Sequence, residues 1–421
     1  MIRYQSTSDL AEIFFSYRVC FSKRSWPYLG ATAVSWLLRS GQKTVRGLGQ
    51  RALHQRAESG FYRFFSHFKV DLERLCEILL RQIVEAFGLT KLLLVVDDTL
   101  CPKWGRKIHG AGVHFDHVRR PRPGYLWGHN WVVLATVVRI FGVPVALPFR
   151  VRLYRTEKTC KPEEFRTRLE IVAEELAKLR GWFPSMKIDL VADGAYNNKS
   201  MLWPLRKLKI HLVSRLRFDA VLRKDAPKRR RKGKRGRKGR YGQRLAPLKK
   251  IARSDNGWTR IRANIYGHRV TLRVKSFDAW WPKAGIKVRV VITRDPAGKR
   301  KPCFLMSTDL SMTAQEIIER FALRWPIEQL FSDAKLLMGL DSAEVRTEKS
   351  VLRHAVLTFA LVTWVRLWAK KHLGGLENPP TSFAGQLAAL RKDLLSQTIF
   401  ASSLGRKLSK RNCEDLARLA A

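Results

Sequence analysis

The run Lys91-Leu-Leu-Leu-Val-Val-Asp97-Asp98-Thr99 constrains the fold more than any other stretch of this chain. Five apolar residues in succession follow neither the period of an amphipathic helix nor the alternation of a half-exposed strand. They predict a strand buried on both faces, at the centre of a sheet. The run ends on acids, and the C-terminal ends of strands are where α/β folds place their chemistry. Successive side chains on a strand point to opposite faces, so Asp97 and Asp98 cannot both serve one site. Lys187-Ile-Asp-Leu-Val-Ala-Asp193-Gly194 repeats the device. An Asp-Gly turn is common and carries no chemistry alone; two strand-end acids in one chain are more informative.

Between and after these strands the pattern gives two β-branched strands, 131–140 and 143–154, around Phe141-Gly142. A helix over 162–180, a helix over 198–208 and a strand over 211–214 complete the series. Strand-Asp, two strands, helix, strand-Asp, helix, strand is the element order of an RNase H-like α/β core. In that fold the first and fourth strands are neighbours, which would bring Asp97 and Asp193 together.

A third acid lies far along the chain, in Phe321-Ala-Leu-Arg-Trp-Pro-Ile-Glu-Gln-Leu-Phe-Ser-Asp-Ala-Lys335. Glu328 follows Arg324 by four residues and precedes Lys335 by seven, spacings that share one helix face. A lone Glu between cations is commonly just a solvated salt-bridge face; the two strand-end acids turn the reading toward a site. Thr313 with Glu316 predicts a helix start ahead of this stretch, and Pro326 predicts a kink or restart within it.

The charge narrows the partner. The 421 residues carry 81 Lys+Arg against 35 Asp+Glu, a formal net charge of +46. Such an excess repels itself and suits a chain whose working partner is a polyanion, with nucleic acid first. An anionic membrane is second, and no strong amphipathic basic helix supports it. Residues 223–240 hold 12 Lys or Arg among 18, including Arg229, Arg230 and Arg231, and predict a cationic loop able to neutralise phosphates without reading sequence. Lys103 opens a Gly- and base-rich loop with the same two readings, DNA-backbone contact or plain loop polarity. That loop's His109, His114, Asp116 and His117 match no common zinc spacing. The Trp280-Trp281 pair sits in a β-rich stretch and either stacks on an unpaired base or belongs to the core.

Residues 1–88 read as several short helices with basic polar faces, either a helix-turn-helix-like DNA-binding module or a bundle that buttresses the next domain. The six Cys form no C-x-x-C pair and read as reduced thiols of a cytosolic protein. The longest apolar run, 355–368, contains Arg366 and predicts a core helix, so no membrane association is expected.

Taken together, Val-Val-Asp97-Asp98-Thr, Val-Ala-Asp193-Gly-Ala-Tyr and the Phe321, Arg324, Glu328, Lys335 series resemble bacterial insertion-sequence transposases of the DDE type. The closest resemblance is to the insertion-sequence-four-like group, whose hallmark is Tyr, two residues, Arg, three residues, Glu, six residues, Lys. The spacing holds throughout, and Phe321 stands where the group has Tyr. The resemblance implies an RNase H-like core with a β-rich insertion. It also implies a catalytic triad of Asp97, Asp193 and Glu328, with Asp98 as the alternative to Asp97. Two Mg²⁺ or Mn²⁺ ions held by that triad would run in-line phosphoryl transfer. Implied partners are double-stranded DNA, as the element's terminal inverted repeats and as target, with a homodimer assembled on it in the bacterial cytoplasm. Arg324, Lys335, Lys103, Arg229, Arg230, Arg231, Trp280 and Trp281 are the expected DNA contacts. The corresponding domains are a helical DNA-binding domain at 1–88, the core at 89–215 and 286–345, the insertion at 216–285 and a helical region at 346–421. The competing functions are a nuclease that cuts without joining and a DNA-binding protein without catalysis.

Overall fold

Five helices lead into the sheet: α1 (Ser8–Phe15), α2 (Trp26–Leu38), α3 (Val45–Gln50), α4 (Glu58–Ser66) and α5 (Leu72–Phe87). The computed structural model describes residues 8–50, 57–116, 124–227, 239–298 and 301–403. Local chemistry sets the ends of α5. The Asp71 carboxylate accepts from the Arg74 amide at 2.9 Å, and Gly88 closes the helix at φ +56, a conformation that costs glycine little. Leu75, Leu79 and Ile83 recur at helical spacing and are buried.

The sheet follows: β1 (Lys91–Pro102), β2 (Gly112–Asp116), β3 (Gly124–Ile140) and β4 (Val143–Tyr154), then α6 (Arg168–Trp182), β5 (Lys187–Ala192), α7 (Lys199–Lys207) and β6 (Ile210–Arg215). Phe141 and Gly142 join β3 to β4 at φ +50 and +79, the positive values a two-residue hairpin turn needs. β4, β3 and β1 are antiparallel neighbours, and β5 and β6 run parallel to β1 beyond it. The spatial order β4-β3-β1-β5-β6 is the RNase H-like order, confirming the α/β class. β1 is central and its Leu94, Val95 and Val96 are sealed from solvent.

Next come β7 (Arg223–Asp225), β8 (Tyr241–Arg244), α8 (Leu248–Arg253), β9 (Thr259–Ile265), β10 (His268–Trp281), β11 (Ile286–Arg294) and β12 (Cys303–Ser307). They extend the same sheet, in the order β6-β12-β11-β10-β7-β8 with β9 on the other end of β10. The expected boundary at 285 falls in the turn between β10 and β11. β10 and β11 form one antiparallel hairpin, paired from Arg273↔Arg294 to Trp281↔Ile286. β12 in turn pairs with both β11 and the core strand β6, so one continuous sheet runs across the expected boundary.

The chain ends, within the described residues, with α9 (Ala314–Ala322), α10 (Pro326–Leu336), α11 (Glu348–Leu373) and α12 (Phe383–Ser403). α11 is long and apolar enough to cross a membrane, but 94% of its apolar window is buried inside the protein. It is the helix around which the N-terminal helices close. The Arg353 guanidinium donates to the Phe64 and Phe68 carbonyls. Trp36 Nε1 donates to the Met338 carbonyl at 2.9 Å, and Phe61, Phe64 and Phe65 are fully buried. Through these contacts the helices of residues 1–88 buttress α11.

Candidate active site

Strand register brings the first two acids together. Val96 pairs with Ala192 across parallel β1 and β5, so Asp97, midway along β1, and Asp193, the first residue past β5, are brought next to each other, and the Asp193 carboxylate acts on Asp97 electrostatically. Ser214 Oγ donates to the Asp193 carbonyl at 3.1 Å, and Asn197 Nδ2 to the Arg215 carbonyl at 2.9 Å. These bonds fix the turn after β5 against β6. The Asp193 side chain does not cap that turn and is left to face the site.

Glu328 arrives on the first turn of α10. Pro326 occupies the first helical position, where its missing N–H costs nothing, so the helix restarts there as expected. Ile327, Leu330, Phe331 and Ala334 bury one face of α10, which orients the polar remainder. Arg324 links the third acid to the first. Its Nη1 donates to Asp97 Oδ2 at 2.8 Å, and its Nη2 pairs with Glu328 Oε1. One guanidinium thus bridges two carboxylates that are 231 positions apart in the sequence.

Burial pushes the Asp97 carboxyl up to about 6, and the nearby Asp98 and Asp193 carboxylates push the same way, against the pull of Arg324. Burial opposes charge on Arg324 itself, but Asp97, Glu328 and Asp193 hold it cationic. The site therefore has more negative charge than one guanidinium settles.

Asp98 faces the other side of β1. It accepts from Arg168 Nη1 at 2.8 Å, Asn130 Nδ2 at 3.0 Å and the Tyr196 hydroxyl at 3.1 Å. Its lone pairs are committed to a structural network away from Glu328. Arg168 escaped the sequence reading. The available signal was the Thr167–Glu170 capping box, which fixes where α6 begins and so where its first side chain points.

The expected DNA contacts divide. Arg324 is in the site, held by carboxylates. Lys335 Nζ donates to the Leu100 carbonyl at 2.6 Å, so it ties α10 to β1. Lys103 needs correction: it is buried, and its Nζ donates to the Asp341 and Ala343 carbonyls at 2.9 and 3.3 Å. Its ammonium is turned into the protein, where burial lowers its pKa. Trp281 also needs correction, because it is 8% exposed and part of the core. Trp280 is half-buried and donates its Nε1–H to Asp225 Oδ1 at 2.8 Å. Arg229, Arg230 and Arg231 lie outside the described residues. Trp325, beside Arg324 in the chain, was passed over in the sequence. It is 51% exposed, meets the 57%-exposed Tyr266 ring edge-on at 5.8 Å, and lines a cleft of about 750 Å³.

Among the described residues no three His, Cys, Asp or Glu are gathered tightly enough to form a metal cluster. The donor chemistry nonetheless fits a hard divalent cation. Asp97, Asp193 and Glu328 offer carboxylate oxygens only, and the Arg324 guanidinium already stands in for positive charge between two of them.

The family described as DDE superfamily endonuclease matches residues 17–273, and the family described as archaeal putative transposase ISC1217 matches residues 271–374. A search of the curated proteins found no match. Among solved structures the chain is similar to piggyBac transposase in a synaptic complex with hairpin DNA, at 11% identity over 94% of this chain and 76% of that one, with a TM-score of 0.45. The first match takes in Asp97, Asp193 and well over half of the sequence, and on that ground the chain belongs to the DDE superfamily endonucleases.

Proposed function

We propose that this protein is a transposase that cuts DNA strands at the ends of a mobile element and rejoins them, using Asp97, Asp193 and Glu328. The observation that carries the reading is the Arg324 bridge between Asp97 and Glu328, beside the register that sets Asp193 next to Asp97. Two neighbouring strands of a rigid sheet fix two carboxylates, and α10 delivers the third.

Divalent cations held by these three residues, most simply two Mg²⁺ or Mn²⁺, would stabilise charge on the phosphoryl group and lower the pKa of an attacking water or 3′-hydroxyl. The protein's own groups do the rest. Asp97 on β1 and Asp193 just past β5 present their carboxylates from neighbouring strands. Glu328 sits at a helix N-terminus, where the backbone dipole favours its charge. Arg324 balances the acids in the free protein and is positioned to take a phosphate oxygen of the scissile strand once cations neutralise them. Lys335 holds α10 in register with β1. No Ser or Tyr nucleophile is required, so one site can serve both cutting and joining.

Within the family, the spacing of Phe321, Arg324, Glu328 and Lys335 supports the insertion-sequence-four-like group. Phe321 lacks the hydroxyl of that group's Tyr; its ring receives the Arg215 guanidinium at 5.9 Å. Pairing two element ends calls for two copies on DNA. The test is Mg²⁺- or Mn²⁺-dependent nicking and strand transfer on a plasmid carrying the sequences that flank the gene. Both activities should vanish in Glu328→Gln. Nicking that survives this substitution refutes the assignment of Glu328, and nicking without joined products reduces the reading to a nuclease.

A further inference from the structure

The hairpin of β9 and β10 has two unlike faces. Ala263, Leu272 and Val274 are buried on one face. The opposite face carries Arg260, Arg262, Arg269 and Arg273, all exposed. Register makes them a grid. Arg260 is directly opposite Arg273, and Arg273 is directly opposite Arg294 on β11. Arg262 lies opposite Thr271, one diagonal step from both Arg269 and Arg273.

Like charges directly opposite across strands are destabilising, and a sheet ordinarily breaks such a row with an acid. Here it does not. Arg294 is engaged with Asp255 and the Ala252 carbonyl, while Arg260, Arg262, Arg269 and Arg273 make no side-chain hydrogen bond or ion pair with a described residue. β9 and β10 contribute no acid to this face; the sole acid in either strand, Asp278, lies near the far end of β10 and pairs with Arg289. Four exposed guanidinium groups thus stand at strand spacing on the face opposite Ala263, Leu272 and Val274.

We infer that this face is a DNA-backbone clamp: the β9–β10 arginine grid takes the phosphates of one stretch of double-stranded DNA, independently of sequence. The inference rests on the DNA-processing reading above and adds a surface to it, well apart in the chain from the three acids. Charge complementarity selects the occupant, because planar guanidinium groups pair with phosphate oxygens bidentately and neither β9 nor β10 places an acid on this face. The clamp positions the substrate and reads no bases, since no Asn or Gln other than Asn264 shares the face.

The test compares the full-length protein with Arg260, Arg262, Arg269 and Arg273 all changed to Gln. A control carries the same four-charge reduction at exposed Arg63, Lys69, Lys349 and Lys392. Affinity for a short fluorescent DNA duplex of arbitrary sequence is measured against salt. Each lost phosphate contact should flatten the log–log salt slope by about 0.9. The grid variant should therefore be shallower than wild type by about 2 to 4, and the control by less than about 1. Relief of cross-strand repulsion should also leave the grid variant with a melting temperature equal to or above that of wild type. An unchanged slope, or an equal change in the control, overturns the clamp while wild-type nicking leaves the endonuclease reading standing. Wild-type protein that neither binds nor nicks DNA overturns both.

Discussion

The Arg324 guanidinium reaches the Asp97 carboxylate at 2.8 Å across 227 positions of sequence, joining the turn before α10 to the middle of the central strand. That contact separates two neighbouring acids that chain position cannot separate. Asp97 faces Arg324 and Glu328, whereas Asp98 faces Arg168, Asn130 and Tyr196.

Asp97→Asn should abolish metal-dependent nicking, by more than the 10- to 100-fold typical of residues that merely orient a metal's ligands. Burial and neighbouring carboxylates disfavour the charge at Asp97, so the substitution should leave the melting temperature unchanged or raised near neutral pH. Asp98→Asn should do the reverse. It keeps nicking within about 10-fold and loses about 1 kcal/mol or less, because the Arg168 partner is 45% exposed. Plasmid nicking and thermal melts on the two variants decide it; equal loss of nicking would show that the face of β1 does not matter.

Lys335→Ala should cost about 1–2 kcal/mol of stability, because a charged donor to the Leu100 carbonyl is removed in a half-buried setting. Its salt slope for DNA binding should match wild type. A slope shallower by about 0.9 would return Lys335 to the phosphate-contact role.

Much of this architecture was legible in the sequence. The β1 run, the β5 run ending before Asp193, the Thr313 cap and the restart at Pro326 are local signals, and each lies where the pattern put it. What the sequence hid was tertiary. Lys103 looks like a solvated loop cation until Asp341 and Ala343 bring carbonyls to it from 238 and 240 positions away. The helices of residues 1–88 have basic faces, but their other faces close on α11. The stretch after 216 was recognisable as β-rich, yet its continuity with the core sheet depends on β12 pairing with β6, which no periodicity encodes.

Trp281 and Trp280 should behave differently despite being adjacent. Trp281→Ala removes a core side chain and should cost about 3–5 kcal/mol. Trp280→Ala loses a half-buried ring, with its neighbour Tyr241 at 5.5 Å and its bond to Asp225, and should cost about 1–2 kcal/mol. Chemical denaturation of both variants measures the contrast; equal small losses would mean that Trp281 is not in the core.

Acid should destabilise the protein above the usual carboxylate range, through two buried histidines. Burial holds His129 down to about 4 and His354 down to about 3, against about 6.5 in the unfolded chain. Between those values the unfolded state binds more protons than the folded one, so stability rises with pH. The contribution is complete above about 6.5 and is lost as pH falls through about 4 and then 3. Asp97, raised to about 6, works the other way between about 3.8 and 6, since its folded form takes the proton first. Two protons against one leaves a net slope of about 1.4 kcal/mol per pH unit in that window. His129→Asn should cancel that net slope by removing one proton from the balance, and melting curves of wild type and variant from pH 7 to about 4 measure it. Parallel curves would mean that His129 already carries its proton in the folded protein, despite accepting burial beside the His109 carbonyl at 2.9 Å.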